Sequence, residues 1–360
     1  MEAWAPLDIA WERDNVGLQT GDPDARVRGI LVALDVTENI VTEAVRRGAS
    51  LIISHHPLLF RPLRSVTTRT WQERCVGALL RKGVALYSAH TNLDFTRGGT
   101  SFALAEALDV TAEGFLKTPF RLQNKIVTYV PPSHADRVAA AMAAAGAGVI
   151  GQYESCSFRG EGTGTFRGGA GSHPALGRRG TMEHVAEIRL EMVAPSRAIG
   201  SVVRAMTEAH PYEEVAYDIY ALENAAGEYG MGAVGTLKRT VPLRSFLTTV
   251  RRALNTPALR WSGGPRKSVH RVALCGGSGS ELLSDAIASG AEVFVTADLR
   301  YHSFHEAEGR IALVDAGHFE TEIPVVASIV KRLRREILRR GEAIPVRAAS
   351  GTTNPVRWSM

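Results

Sequence analysis

Short apolar runs alternate with helix-length amphipathic segments over the first third of the chain. The apolar runs have the length and the aliphatic content of buried strands, at residues 29–36, 51–53 and 84–87. Helical patterns follow them at residues 37–47, 70–81 and 101–108. Thr37 stands where a side chain would cap the first of these helices. Strands that alternate with helices in this way favour a parallel sheet.

The last third of the chain repeats this plan. Strands are predicted at residues 271–275, 293–296 and 311–315. A helix is predicted at 281–289, and another runs from Thr321 towards Arg340. The fold class is therefore predicted to be α/β, with two pseudo-duplicated parallel-sheet halves in one domain, although no residue-level repeat connects them.

The middle of the chain has a different pattern. Strands and helices are predicted in the order strand, helix, strand, strand, helix, strand, which fits a ferredoxin-like α+β module. A glycine-rich stretch at 159–180 is expected to be a mobile loop. We therefore expect an α/β domain from 1–123 plus 233–345, interrupted by an insertion domain at 124–232. Small and polar residues at 346–360 predict a flexible tail.

Imidazole and carboxylate groups stand just past several predicted strands, at His55, His56, His90, Asp94, His318 and Glu322. In open α/β sheets, ligands bind beyond the carboxyl ends of the strands, so these groups are expected to share one site. His318 and Glu322 are four residues apart at a helix start and should share a face. The donor set predicts a divalent metal site, with room for two neighbouring ions, in a hydrolase. Nitrogen and oxygen ligands suit Zn, Mn, Fe, Co or Ni alike.

Other motifs remain open between a functional and a structural interpretation. Residues 276–280 could cradle a phosphate or form a tight strand-to-helix turn. Asp298 could simply cap a helix, whereas His302 could reach the cleft as an acid, a base or a phosphate contact. The polar block at 14–19 could line the same cleft or form a structured turn. The histidines expected to be ordinary polar residues are His134, His173, His184, His210 and His270.

Composition narrows the class of protein but not its chemistry. The apolar fraction of 45% and the charged fraction of 22% are ordinary for a globular protein. The net charge of +5 is concentrated at residues 331–335 and 339–340, where a solvated helix face is favoured over a nucleic-acid patch because no aromatics are interleaved. Three widely spaced cysteines suit a reducing cytosol. With no apparent signal peptide or membrane span, a cytoplasmic location is expected.

Four sequence blocks resemble the signature blocks of the NIF-three-like family, at residues 14–19, 54–57, 90–94 and 315–322. The family includes YbgI-type proteins and those labelled GTP cyclohydrolase I type 2 homologues. Residues 296–302 are similar to a further block, although Ala297 stands where the family usually has glycine. The combination spans roughly residues 1–340 and occurs in the family's order.

The resemblance implies a dinuclear metal centre, a small-molecule substrate and a toroidal homohexamer. By motif, its ligands would be His55, His56, Asp94, His318 and Glu322. The implied reaction is hydrolytic opening of the guanine imidazole ring of GTP by metal-activated water, with His90 or His302 moving protons. The middle segment is similar to the CutA/PII-like insertion of longer members. Phosphoester cleavage at the same centre, or a non-enzymatic metal-binding assembly that docks partners, are the alternatives.

Overall fold

The chain forms two compact units, each with its own hydrophobic core, in a computed structural model that describes residues 1–118, 123–224, 229–264 and 266–357. Unit 1 comprises Met1–Thr118 and Glu228–Met360, and unit 2 comprises Pro119–Gly227. No helix in the described part of the chain is long and apolar enough to cross a membrane.

The strands and helices are named here in chain order. Strands of the described residues are β1 (Gly17–Thr20), β2 (Ile30–Ala33), β3 (Leu51–Ser54), β4 (Ala85–Ser88), β5 (Val110–Gly114), β6 (Gln123–Val130), β7 (Phe158–Arg167), β8 (Met182–Pro195), β9 (Tyr217–Ala221), β10 (Ala233–Pro242), β11 (Arg260–Ser262), β12 (Ser268–Ser278), β13 (Val293–Ala297), β14 (Ala312–Asp315) and β15 (Val346–Ala348). The α-helices are α1 (Glu38–Arg46), α2 (Trp71–Lys82), α3 (Thr91–Asp94), α4 (Thr100–Ala107), α5 (Ala135–Ala144), α6 (Ile199–Ala209), α7 (Leu243–Ala253), α8 (Leu283–Ala288), α9 (Tyr301–Ala307), α10 (His318–Glu322) and α11 (Pro324–Arg339).

The first sheet of unit 1 has the strand order β1-β4-β3-β2-β15. Its central strands β2, β3 and β4 are parallel and coincide with the three strands predicted from the first apolar runs. β1 adds an antiparallel edge. The other edge is β15, where Val346 pairs with Ile30. The segment expected to be a flexible tail therefore begins as a strand of this sheet, because its backbone completes the open edge of β2.

The second sheet of unit 1 has the order β11-β14-β13-β12-β10-β5. β12, β13 and β14 are parallel, as the last third of the sequence predicts, and β5, β10 and β11 add antiparallel pairings. Every residue of β13 and β14 is buried, which is typical of parallel strands covered on both faces. Unit 1 is thus a mixed α/β structure with two sheets that contain parallel strands.

Two predicted helices begin at side-chain caps. The Thr37 hydroxyl accepts a hydrogen bond from the Ile40 amide at 3.4 Å, and Thr70 accepts one from the Glu73 amide at 3.2 Å. α2 ends at Gly83, whose left-handed backbone closes the last turn. These caps place α1 and α2 on one side of the first sheet, where Ile40 and Leu79 are buried in the same core.

Unit 2 is an antiparallel sheet of order β7-β8-β6-β9 with α5 and α6 packed on one face. Its elements run strand, helix, strand, strand, helix, strand. The glycine-rich stretch at 159–180 was expected to be a mobile loop, and that prediction is wrong for its first part. β7 pairs with β8 residue by residue from Phe158 to Arg167, because backbone hydrogen bonds along the ladder offset the weak strand preference of glycine.

Candidate metal centre

Two adjacent histidines stand at the carboxyl end of β3. β3 ends at Ser54, and the amides of His55 and His56 then donate hydrogen bonds to the Ala33 and Leu34 carbonyls. These hydrogen bonds hold the chain against β2 after β3 has ended. The side chains of His55 and His56 therefore need not point to opposite faces of the sheet, as successive strand residues do. As a result both imidazoles serve one site, with ring centroids 5.0 Å apart.

The late segment of the chain brings its predicted residues to these histidines. Glu322 is almost fully buried, and its Oε2 lies 2.9 Å from His56 Nε2 and 3.1 Å from His318 Nε2. Its Oε1 lies 3.7 Å from His55 Nε2. Asp94 Oδ1 lies 3.6 Å from the same His55 nitrogen. Residues separated by more than two hundred positions therefore form one cluster of three imidazoles and two carboxylates.

Three polar atoms of this cluster are buried without a hydrogen-bond partner in the described residues, namely His55 Nε2, Asp94 Oδ1 and Glu322 Oε2. Leaving one such group unsatisfied costs about 1–3 kcal/mol, so native proteins leave few of them. Here they lie close together and are all atoms that bind divalent cations. The donor set therefore fits a metal site, because a cation would satisfy at once the atoms that no protein group satisfies.

The second ring nitrogen of each histidine is also engaged. An oxygen contacts each Nδ1 atom: Ala89 O at 2.8 Å from His55, Asp35 Oδ1 at 2.7 Å from His56, and Asp298 Oδ2 at 2.7 Å from His318. When Nδ1 donates a proton to such an acceptor, Nε2 keeps its lone pair for a metal. This arrangement is the usual outer support of metal-binding histidines, and it directs the Nε2 atoms into the cluster.

His90 is a fourth imidazole at the cluster. Its ring centroid lies 5.3 Å from that of His55 and 5.5 Å from that of His56. Its Nδ1 contacts Asp14, which also accepts hydrogen bonds from the amide and hydroxyl of Thr91 at 3.1 and 2.6 Å. Burial raises the pKa of Asp14, but the His90 and Thr91 hydrogen bonds outweigh it and lower the pKa to about 2. Asp14 is thus an anion that orients His90.

Ligand atoms gather into two overlapping groups within the described part of the chain. One group is His55, His56 and His90; the other is His56, His318 and Glu322. In each group the candidate ligand atoms lie within 4.8 Å of one another. His90 can therefore serve as a metal ligand as well as the proton carrier that the sequence suggests. Asp94 lies outside both groups and reaches the cluster through its contact with His55.

The carboxylates set the charge of the cluster. Burial lowers the pKa of His56, but Asp35 and Glu322 outweigh it and raise the pKa to about 10. Burial also lowers the pKa of His318, which Glu322 and Asp298 raise to about 9. Burial raises the pKa of Glu322, but the three histidines outweigh burial and hold the pKa well below its usual value. Glu322 therefore stays ionised. Without a metal, protons on the imidazoles balance the buried carboxylate.

A glycine on β12 makes room for this carboxylate. Gly277 has a φ of +66°, and a Cβ there would lie 2.2 Å from Glu322 Oε1. The Gly277 carbonyl also accepts a hydrogen bond from the Thr296 hydroxyl at 2.9 Å. The glycine cluster at 276–280 therefore lets β12 approach the metal ligands closely, a role that neither sequence interpretation of this segment included.

The C-terminal segment lies beside the cluster. Thr353 donates a hydrogen bond of 2.6 Å to Asp35 Oδ2, and Asn354 donates one of 3.0 Å to Glu320. With His56 and His318, this segment lines a cavity of about 360 Å³. Thr353, Asp35 and His56 thus form a continuous chain of contacts that leads from the last residues of the protein to a candidate ligand.

The structure separates His302 from the other predicted residues. His302 is exposed on the first turn of α9, where its ring lies 5.5 Å from that of Tyr301. None of its contacts among residues 1–118, 229–264 and 266–357 reaches the cluster. Asp298 is not the cap of α9, which begins after Arg300 without a side-chain cap; it has a φ of +56° and contacts His318 instead.

Three acidic residues at the cluster were not predicted as site residues. Asp14 lies in a block that could line the cleft or form a turn, Asp298 could simply cap a helix, and Asp35 has no predicted role. Asp35 and Asp298 stand just past a strand, and Asp14 stands just before one. Their position near a strand end, together with their acidic side chains, is the sequence feature from which they could have been predicted. His210, one of the histidines expected to be ordinary polar residues, contacts the Tyr129 carbonyl at 3.1 Å through its Nε2 atom.

Comparisons with known proteins show the family of the chain. A family model described as Duf34/NIF3 (NGG1p interacting factor 3) matches residues 1–355. A Halalkalibacterium halodurans protein named "GTP cyclohydrolase 1 type 2 homolog" is 37% identical over 98% of this chain and 95% of its own length. A Bacillus cereus crystal structure, described as related to NIF3, has a TM-score of 0.77 and 36% identity and covers 99% of this chain and 96% of its own. A Staphylococcus aureus crystal structure has a TM-score of 0.80 and 27% identity, with coverage of 99% and 96%. The chain therefore belongs to the Duf34/NIF3 family.

Proposed function

We propose that the protein is a dinuclear metal-dependent hydrolase that acts on a nucleotide or a related cyclic or phosphorylated small molecule. His55, His56, Asp94, His318 and Glu322 would hold two divalent ions. The observation that carries this proposal is the buried Glu322 carboxylate, which lies against the Nε2 atoms of three imidazoles and so forms a nitrogen and oxygen donor set that suits divalent cations.

Bound ions of this kind polarise a substrate oxygen and lower the pKa of a coordinated water. The protein's own contribution is to hold ligands and move protons. Asp14 keeps the His90 ring beside His55 and His56, where it can accept a proton from a reacting group and return it to a leaving group. His302, exposed on α9, remains a second proposed proton carrier. Burial of His55 and Glu322 keeps water from competing for the ligand atoms.

The substrate class rests on the cavity and on the relatives. The cavity of about 360 Å³ lies in the size range of small-molecule sites. Curated relatives carry the name GTP cyclohydrolase 1 type 2 homolog, which supports ring opening of a purine nucleotide. Arg260 lines the same cavity; its guanidinium is paired through Nη2 with Asp315 and the Leu299 carbonyl but stays largely exposed, and a guanidinium is the group that best binds phosphate oxygens. That residue favours phosphoester cleavage as the second candidate reaction.

The proposal is tested first by elemental analysis of purified protein, then by an unbiased metabolite screen of wild type beside Asp94→Ala. We expect about two transition ions per chain and a substrate that only the wild type consumes. Formate or a formylated product would identify ring opening, and released phosphate would identify phosphoester cleavage. No more than a trace of metal, or equal turnover by a folded Asp94→Ala variant, would contradict the proposal.

We also propose the finer architecture that the sequence suggests. Three parallel strands in each sheet of unit 1 support two pseudo-duplicated halves. The element order of unit 2 and its sheet order β7-β8-β6-β9 support a ferredoxin-like, CutA/PII-like insertion. The proposed homohexamer rests on the family resemblance, and the cytoplasmic location on three unpaired cysteines. Sedimentation velocity would test the hexamer, and a monomer at micromolar concentration would contradict it.

A further inference from the structure

Unit 2 contains a cavity of about 680 Å³ whose lining residues all belong to that unit. β7 and β8 form one side of it. The connection between these strands, from residue 168 onwards, forms another with Pro174 and Leu176. Tyr129, Phe166 and Tyr212 add aromatic side chains to the lining. A volume of this size, with a mostly apolar wall and a few polar groups, is typical of a small-molecule site.

One side of the cavity is flat because alternate residues of β7 are glycines. Gly160, Gly162 and Gly164 share a face, since successive residues of a strand point to opposite sides. A Cβ built on Gly162 meets no atom within 4 Å, so the missing side chain leaves open space. A Cβ on Gly164 would lie 2.1 Å from Glu187 Oε2, so this glycine lets the Glu187 carboxylate lie against the strand.

Glu187 is held in place by a tyrosine. Glu187 Oε1 accepts a hydrogen bond of 2.8 Å from the Tyr212 hydroxyl. Burial, followed by the Glu187 carboxylate, raises the pKa of Tyr212, so the hydroxyl remains a donor at neutral pH. The two residues thus give the cavity a fixed carboxylate beside an aromatic ring, rather than a freely rotating acid.

Charges around the cavity are unbalanced. Carboxylates in the lining are contributed by Glu161, Glu187, Glu213 and Glu214, against the guanidinium groups of Arg167 and Arg189. Arg189 is already paired through its Nε with Glu191 at 2.8 Å. Glu213 accepts a hydrogen bond of 2.6 Å from the His173 amide and so ties the β7–β8 connection to the cavity wall. The remaining excess of negative charge favours a cationic ligand over a phosphate.

We propose that this cavity binds a planar organic cation, such as an aromatic amidine or a protonated amino-heterocycle. Its ring lies on the glycine face of β7 among the aromatic side chains, and its charged N–H groups donate to Glu187. Aromatic faces and a carboxylate together are the usual recognition elements for such a cation. The site lies in unit 2 and is independent of the proposed hydrolase centre.

The test uses two planar fluorescent probes of opposite charge on the full-length protein. Diamidinophenylindole is an aromatic bis-amidine, and anilinonaphthalene sulfonate is an anion of similar size. We expect saturable fluorescence with the amidine and much weaker binding of the sulfonate. Glu187→Gln should weaken amidine binding at least about tenfold, because it removes a charge-assisted hydrogen bond. Glu208→Gln, an exposed charge removal on α6, is the matched control and should change nothing.

A second variant distinguishes a loss of amidine binding from a loss of folding. Gly162→Val fills the space above the strand, where a Cβ atom meets no other atom within 4 Å, and valine suits an extended backbone. We expect it to abolish amidine binding while the thermal transition of the protein is retained. Binding that survives both Glu187→Gln and Gly162→Val, or that falls equally in Glu208→Gln, would overturn the proposal. So would equal affinity for the sulfonate.

Discussion

The candidate metal centre of unit 1 and the cavity of unit 2 are built in opposite ways. The candidate metal centre concentrates side chains: the buried Glu322 carboxylate contacts three histidines, of which His56 and His318 line a cavity. The cavity of unit 2 depends on side chains that are missing, since Gly162 leaves open space over β7 and Gly164 lets the Glu187 carboxylate lie against the strand. Histidines with fixed second partners suit a divalent transition-metal ion, whereas a flat apolar face with one anchored carboxylate suits a larger organic molecule.

This difference determines which kind of mutation damages each site. A site made of converging charges fails when one charge is removed, because the remaining buried groups are left unbalanced. A site made of empty space fails when the space is filled, while its surroundings stay intact. The two sites can therefore be damaged separately.

The largest effect is expected at Glu322. Glu322→Gln removes the negative charge of a carboxylate that contacts all three of His55, His56 and His318, so we predict a loss of metal affinity of more than about 100-fold. Metal content by elemental analysis after dialysis against a weak chelator measures it. Glu320→Gln on the same helix is the control, because Glu320 contacts Asn354 instead. Full metal retention in Glu322→Gln would show that the ions lie elsewhere.

Metal uptake should depend strongly on pH. Carboxylates raise the pKa of His56 to about 10 and of His318 to about 9, so both carry protons at neutral pH in the metal-free protein. Binding must release these protons, and we predict that affinity rises with pH, up to about tenfold per pH unit for each proton. Calorimetry in buffers of different ionisation enthalpy counts the protons. Metal binding that is independent of pH between 6 and 9 would contradict these assignments.

The raised pKa values of His56 and His318 also make the stability of the metal-free protein depend on pH. The stability should fall as pH rises, whereas the metal affinity should rise. A histidine whose folded pKa is raised stabilises the fold fully below its unfolded pKa of about 6.5. That contribution is lost as pH rises through 9 to 10. We therefore predict that the metal-free protein melts at lower temperature at pH 10 than at pH 7, and that Glu322→Gln flattens this dependence. A melting temperature that rises over this interval would refute the prediction.

Residue type made the candidate ligands of unit 1 recognisable in the sequence, but not the residues that support them. Imidazoles and carboxylates that gather past strand ends have few uses other than metal binding. This pattern identifies four candidates, namely His55, His56, His318 and Glu322. Asp35 was missed because a lone acid after a strand is common, and only the fold shows that it contacts His56. The open edge of β2, which binds β15, depends on a pairing across more than three hundred residues that no local pattern encodes.

The cavity of unit 2 was not predicted, because the glycine-rich sequence that forms one of its walls is also typical of a loop. Alternating glycines in β7 have low strand preference, so sequence reasoning assigned them to a mobile segment. The partner strand β8 overrides that preference by pairing along its whole length. Local propensity therefore fails where a neighbouring strand supplies the hydrogen bonds, and here that failure coincides with the proposed second site.

A smaller effect is expected in the residues that support the ligands. Asp35→Asn leaves a side chain that orients His56 poorly, and we predict a loss of metal affinity of about 10–100-fold. Thr353→Val removes only the hydrogen bond to Asp35, so the loss should be below tenfold, and Thr353→Ser should restore affinity. The absorption spectrum of the Co²⁺ form reports the geometry directly. An unchanged spectrum and affinity in Asp35→Asn would show that His56 needs no support.

The smallest effect is expected when a change in one unit is measured in the other. Gly162→Val should leave metal content unchanged and shift the melting temperature by no more than about 2–4 °C, since strand preferences differ by ~1 kcal/mol. Conversely, chelation of the metal should not alter amidine binding to unit 2. The free energies of changes at independent sites add, so Gly162→Val combined with Asp35→Asn should show the sum of the single effects. A departure of more than about 0.5 kcal/mol from that sum would mean that the two units are energetically coupled, and that metal binding and cavity occupancy regulate each other.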